Sequence, residues 1–184
     1  MRIVSVHMSV IRIAAVVIRN AGGDILSVRK RGTVAFMLPG GKLEAGETGR
    51  QTAVREISEE LGVDLDPELL VPLGRFGAPA ANEAGCSVDC DVFLYPSPLD
   101  QLPEVRAEIE EARFFRADSV DPVLAPLSRD VVFPAVPRFP DGAVPEPGHR
   151  DGVGISDAVR GNSRHVYGPS SNDSITGRGV VPEV

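Results

Sequence analysis

The chain has 184 residues, 42% of them hydrophobic and 24% charged, with a net charge of −7. That length can bury one real core, so a single domain with something appended is expected. The acidic balance leaves no electrostatic footprint for DNA, RNA or anionic lipid, and a polyanionic substrate would need cations as intermediaries.

Residues 1–8 form an N-terminal extension without a recognisable element, and Met8 is an alternative start. The run "SVIRIAAVVIRN" that follows is too short to span a bilayer, is interrupted by Arg12 and lacks a small-residue cleavage site. It reads as a strand of a cytoplasmic protein over 9–19. A second strand is expected over 25–30, ending in the basic residues Arg29, Lys30 and Arg31. Three adjacent cations at a strand end usually face solvent, but Arg29 and Arg31 are candidates to reach a substrate phosphate.

The loop "MLPGGKLEAGE" comes next. Gly40 and Gly41 permit close approaches that a side chain would forbid, and Pro39 stiffens the entry. The spacing then predicts a helix over 49–61: Thr48 and Gln51 fit a capping box, and Gly62 stands where a left-handed residue ends a helix. Ala53, Val54, Ile57 and Leu61 form its core stripe. Glu56, Glu59 and Glu60 share the adjacent arc.

A glutamate-rich helix face is usually only solvated surface, but here the energetics oppose that reading. The like-charge pairs at i,i+3 and i,i+4 cost a few tenths of a kcal/mol each. No Lys or Arg lies four residues downstream of any of the three acids. They crowd the negative end of the helix dipole, where an acid is penalised by up to about 1 kcal/mol. Clustered hard oxygen donors become favourable when Mg²⁺ occupies them, with Mn²⁺ as a substitute.

Further strands are expected over 70–76, 86–95 and 112–116. In the fourth, Cys86, Val88, Cys90, Val92 and Leu94 face inward while Ser87, Asp89 and Asp91 face water. Cys86 and Cys90 stand roughly 13 Å apart along a strand, out of disulfide reach, and are expected to be buried thiols. Asn82 and Glu83, in the preceding loop, could touch a base or sugar. Aromatic residues are few: Phe36, Phe76, Phe93 and Tyr95 could stack on a base, though core packing is the commoner job. Glu108, Glu110 and Glu111 precede the fifth strand, and Glu108 is a candidate ligand or base.

A second helix is expected over 126–136, ended or kinked by Pro134. From Pro137 to the end, 14 of 48 residues are Gly or Pro without sustained periodicity, and this tail is expected to stay disordered. His7, His149 and His165 carry no catalytic signature. No GxSxG, Walker loop or GxGxxG is present.

Gly41, Glu47, Arg55, Glu56, Ile57, Glu59, Glu60, Leu61, Gly62 and Val63 stand in the spacing G-x5-E-x7-R-E-U-x-E-E-x-G-U, where U is bulky aliphatic. This resembles the Nudix box of the Nudix hydrolases over residues 41–63, with every fixed position filled. The resemblance implies an α/β fold, an α/β/α sandwich around a mixed β-sheet over residues 9–136. It also implies attack of metal-activated water on a diphosphate linkage in a nucleoside di- or triphosphate derivative. Glu56, Glu59, Glu60 and the Gly40 carbonyl would hold Mg²⁺. Arg55 would anchor a glutamate, while Gly41, Glu47 and Gly62 would hold the motif's shape. Glu56 is the first choice of base and Glu59 the second. The implied partner is a small nucleotide, with no nucleic acid and no membrane, and a homodimer is plausible by family analogy. The alternative is a Nudix-like module that binds a nucleotide without cleaving it; isomerisation of an allylic diphosphate has less support, since neither cysteine sits in an acid–base motif.

Overall fold

A computed structural model of the chain describes residues 9–137. The N-terminal extension, all three histidines and the tail beyond Pro137 lie outside the described residues.

The strands are β1 (Ser9–Val17), β2 (Ile25–Lys30), β3 (Phe36–Met37), β4 (Gly40–Lys42), β5 (Val71–Pro79), β6 (Cys86–Leu94) and β7 (Ile109–Phe115). One helix, α1, runs Gly49–Leu61, as the caps predict. A mixed sheet has the order β4-β1-β6-β5, with β1 parallel to β6 and both outer strands antiparallel to their neighbours. An antiparallel sheet has the order β3-β2-β7.

The continuous apolar run of β1 reflects burial on both faces. Ala14, Val16 and Ile18 join Ala53, Ile57 and Leu61 of α1 in one core. Ala15 and Val17 point the other way, into a core with Val92, Leu127, Val132 and Phe133. The period-2 alternation of one strand thus serves both layers of an α/β/α sandwich.

Several boundaries differ from expectation. β3 and β4, of two and three residues, lie at the start of the predicted glycine loop and within it, because strands this short carry no periodicity and exist through pairing with β2 and β1. β5 continues to Pro79, and β7 begins at Ile109. The predicted second helix is a π-helical segment, Leu127–Val132, running into a short α-helix, α2 (Phe133–Ala135). The Phe133 N–H donates to the Ser128 carbonyl five residues back. Pro134 has no N–H and its ring crowds the carbonyl four residues earlier, so a widened turn accommodates it.

The supposedly wet face of β6 is wet only in part. Phe93 is buried in the α1 core, and a Cβ on Gly49 would stand 2.6 Å from Asp91 Oδ2, so the start of α1 covers that carboxylate. Arg12 approaches Asp91 at 3.6 Å, and Arg75 pairs with Asp89. Of the two free thiols, Cys90 is buried as expected and Cys86 only half-buried. Burial, helped by Asp91 and Asp89, pushes the Cys90 thiol up to about 12, leaving it unreactive. Among the described residues no helix is long and apolar enough to cross a membrane.

Candidate active site

The site forms where α1 passes the glycine-bearing strand β4. Thr48 caps the helix reciprocally: its Oγ1 accepts the Gln51 N–H at 3.3 Å, and Gln51 Oε1 accepts the Thr48 N–H at 2.9 Å. At the other end Gly62 adopts the left-handed conformation, φ 60°. Its bare Cα admits the Arg106 guanidinium, with which any Cβ would collide. Arg106 also donates its backbone N–H to the Glu60 carbonyl at 2.7 Å. The cation missing from the helix's own last turn is therefore supplied from the loop before β7.

The three acids of the helix occupy different environments. Glu60 is completely buried; its Oε2 accepts the Gly40 N–H at 3.0 Å. Its Oε1 has no hydrogen-bond partner, and the nearest cation is Lys30 Nζ at 3.5 Å. Burial raises the Glu60 carboxyl to about 7, against the opposing pull of Lys30 and the Gly40 N–H, with Glu56 and Glu108 adding to the rise. Glu56 lies against Gly41 so closely that a Cβ there would overlap its carboxylate, and its Oε1 accepts from Arg55 Nη1 at 2.9 Å. Glu59 is over half exposed and meets the same nitrogen at 3.3 Å.

The acids thus have cationic partners, though none at the downstream helical positions. Arg55 lies four residues upstream of Glu59, and Lys30 arrives from β2. Arg55 is the hub: Nε and Nη2 reach the two oxygens of Glu47 at 2.8 and 2.9 Å, and Nη2 also reaches the Lys42 carbonyl at 3.2 Å. Glu47 further accepts from Thr52 Oγ1 at 2.8 Å and from the Glu44 N–H at 3.0 Å. Arg55 above all, then these donors, hold the Glu47 carboxyl down at about 2.

Beside this face opens a cleft of about 620 Å³. Gly40, Gly41, Glu56 and Glu108 line one part of it, Lys30, Arg31 and Lys42 bring positive charge, and Ile11, Ile13, Val88 and Leu127 form apolar wall. Arg31 and Glu108, singled out in the sequence, therefore meet at the cleft. Arg29 does not line it: Nη1 binds the Thr33 carbonyl at 3.0 Å and Glu110 at 2.8 Å, and Nη2 binds Glu111 at 3.0 Å. Asn82 and Glu83 stand at the rim, where Glu83 pairs with Lys42 Nζ at 2.9 Å.

None of the four aromatic candidates lines the cleft. Phe36 and Phe93 are core residues, and Phe76 and Tyr95 pack against the cores. Lys42 and the aliphatic walls were missed as site residues. The wall from β1 was readable as the alternate positions Ile11 and Ile13, but their juxtaposition with Val88 required the β1–β6 pairing.

Hard oxygen donors around a partnerless buried carboxylate oxygen fit a divalent cation in chemistry. Among the described residues no three acidic, histidine or cysteine side chains gather closely enough to enclose an ion. Glu56 and Glu60 are the inward pair, and Glu59 would join them only by leaving Arg55.

An acid-faced helix thus stands behind a glycine-bearing strand, beside a cleft that mixes cations with aliphatic wall. The family model described as the NUDIX domain matches residues 9–136, and the chain belongs to the Nudix hydrolase family. It is similar to the 8-oxo-dGTP diphosphatase of Escherichia coli K12, with 41% identity over 30% of this chain and 46% of that one. Against the 8-oxo-dGTP diphosphatase of Haemophilus influenzae the figures are 45%, 33% and 48%. The chain thus spans less than half the length of either relative. A crystal structure of a MutT NUDIX hydrolase from Burkholderia pseudomallei shares the fold, with TM-score 0.57 and 22% identity, covering 70% of this chain and 99% of that one.

Proposed function

We propose that the protein is a Mg²⁺-dependent pyrophosphohydrolase, with Mn²⁺ as a substitute, that cleaves a diphosphate linkage in a nucleoside di- or triphosphate derivative. The observation that carries this reading is the buried Glu60 carboxylate, whose Oε1 has no hydrogen-bond partner and which shares its helix face with Glu56 beside an open cleft. The name of the two bacterial relatives puts a purine deoxynucleoside triphosphate with an oxidised base first among the candidates.

Glu56 and Glu60, with Glu59 and the Gly40 carbonyl, would hold the cation, which when bound supplies charge neutralisation and an acidified water. Glu56 is the general base in this reading, taking the proton on the oxygen that Arg55 does not engage. Arg55 fixes the Glu56 rotamer and, through Glu47, the loop before the helix. Arg31 and Lys42 meet the phosphates. With no aromatic side chain among the described residues on its walls, the cleft grips the base between the side chains of Ile11, Ile13 and Val88, by shape and apolar contact. A cytoplasmic location accords with such a substrate.

The test is a panel of nucleoside triphosphates, oxidised nucleotides, nucleotide sugars and dinucleoside polyphosphates, incubated with purified protein and Mg²⁺ or Mn²⁺. A nucleoside monophosphate released together with pyrophosphate or a phosphorylated fragment is expected. Absence of phosphorylated product from every member with either metal would overturn the reading.

A further inference from the structure

Lys30 occupies an unusual position. On β2, Leu26 and Val28 point into the α1 core, so the next alternate residue, Lys30, is aimed at the same helix. There it meets Glu60 Oε1 at 3.5 Å, while Glu108 Oε1 accepts from it at 2.7 Å. A register shift between Arg29 and Lys30 in the β2–β7 ladder pairs Arg29 with Glu111 but Lys30 with Ile109. That irregularity, with the Arg31 N–H donating to the Glu108 carbonyl at 2.9 Å, sets Glu108 beside the ammonium.

The contact with Glu60 is longer than a good charge-assisted hydrogen bond, about 2.7–2.9 Å, whereas the contact with Glu108 is not. Glu108 is exposed and Glu60 is not, so the lysine is tethered by an outer acid and only leans toward an inner one. The ammonium, held by Glu108, thus places a positive charge beside the one buried carboxylate oxygen in α1 that lacks a hydrogen bond.

Resting on the reading above that Glu60 takes part in holding a divalent cation, we propose that Lys30 competes with the cation for Glu60, serving as the carboxylate's own counter-ion and swinging out along its tether to Glu108 when the cation binds. A flexible four-carbon stem suits this exchange. The arrangement keeps the buried carboxylate compensated in both states, and it lowers cation affinity in return. Lys30 is thus a positioning residue of the acidic cluster, distinct from Arg31, which lines the same cleft and meets Glu108 through its backbone N–H.

The decisive measurement is calorimetric titration of Mg²⁺ and Mn²⁺ into the full-length protein without nucleotide, at pH 9, where protons compete least for the carboxylates. Lys30→Met and Lys30→Gln should bind the cation at least about tenfold more tightly than the parent, since a like charge a few ångströms from the ion has been removed. Lys30→Arg should stay within about threefold of the parent. In thermal melts without metal both neutral variants should be less stable than the parent, and saturating Mg²⁺ should raise their Tm more than it raises the parent's. Lys30→Gln can still donate to Glu108, which guards against loss of the fold in Lys30→Met. A merely structural lysine would loosen cation binding when removed, so parent-like or weaker binding by folded neutral variants overturns the inference while leaving the hydrolase reading intact. Failure of the parent itself to bind either cation overturns both.

Discussion

Two carboxylates at opposite ends of the same motif, Glu47 and Glu60, respond to their surroundings in opposite ways. Glu47 is anchored by Nε and Nη2 of Arg55, by Thr52 and by a backbone N–H, and its carboxyl falls to about 2. Glu60 has one backbone donor and a lysine at a distance, lies fully inside the protein, and its carboxyl rises to about 7. Both sit beside a cation, so formal pairing does not separate them. What separates them is the number of donors actually supplied for the water removed. The Glu47 cluster is a finished structural joint; the Glu60 cluster is left short of donors, as a cation-binding site would be.

The sharpest way to break this comparison is to neutralise acids on the two sides in turn. Glu56→Gln and Glu60→Gln should each lower turnover by about a hundred- to a ten-thousandfold, with an unchanged circular-dichroism spectrum. If both retain parental turnover in the substrate assay, the acidic face is not the reaction site. Arg55→Ala should lower folding stability in urea denaturation, because it removes at once the donors that Glu47, Glu56 and Glu59 share. A loss below about 0.5 kcal/mol would show the joint to be ornamental.

Stability as a function of pH should slope in opposite senses for the two acids. The Glu60 cost is absent below about 4.5, grows as pH rises toward about 7 and is complete above it. Metal-free Glu60→Gln should therefore be more stable than the parent at pH 8, by about 1–3 kcal/mol, and gain nothing at pH 4.5. Chemical denaturation at the two pH values checks this, and an equal gain at both would point to packing. For Glu47 the depressed carboxyl gives stability that is present above about 4.5 and lost as pH falls toward about 2. Glu47→Gln should flatten the acid limb of a Tm–pH profile, the smallest of these effects because the group is only partly covered.

The helix and its termini could be read from the chain because their signals are local. Thr48, Gln51 and Gly62 lie within a few residues of the backbone groups they satisfy, and α1 begins and ends where those residues place it. The acid-bearing face was equally visible from spacing. Its counter-charge was not: Lys30 is 30 positions away from Glu60 in sequence, and only folding sets it beside that carboxylate. The same holds for β3 and β4, two short segments that become strands by pairing with distant ones. Among the basic residues at the end of β2, chain order could not distinguish Arg29 from Lys30 and Arg31. Strand alternation and one register shift turned Arg29 toward β7 and Lys30 toward α1.

The amino-acid order alone determined the family, the helix limits and the identity of the acids, since each follows from neighbours in sequence or from a motif of fixed spacing. Tertiary structure alone decided how those acids differ. Desolvation and the supply of donors depend on which distant strands close over a side chain, and they leave Glu60 buried beside Lys30, Glu56 pressed on Gly41 and Glu59 in water.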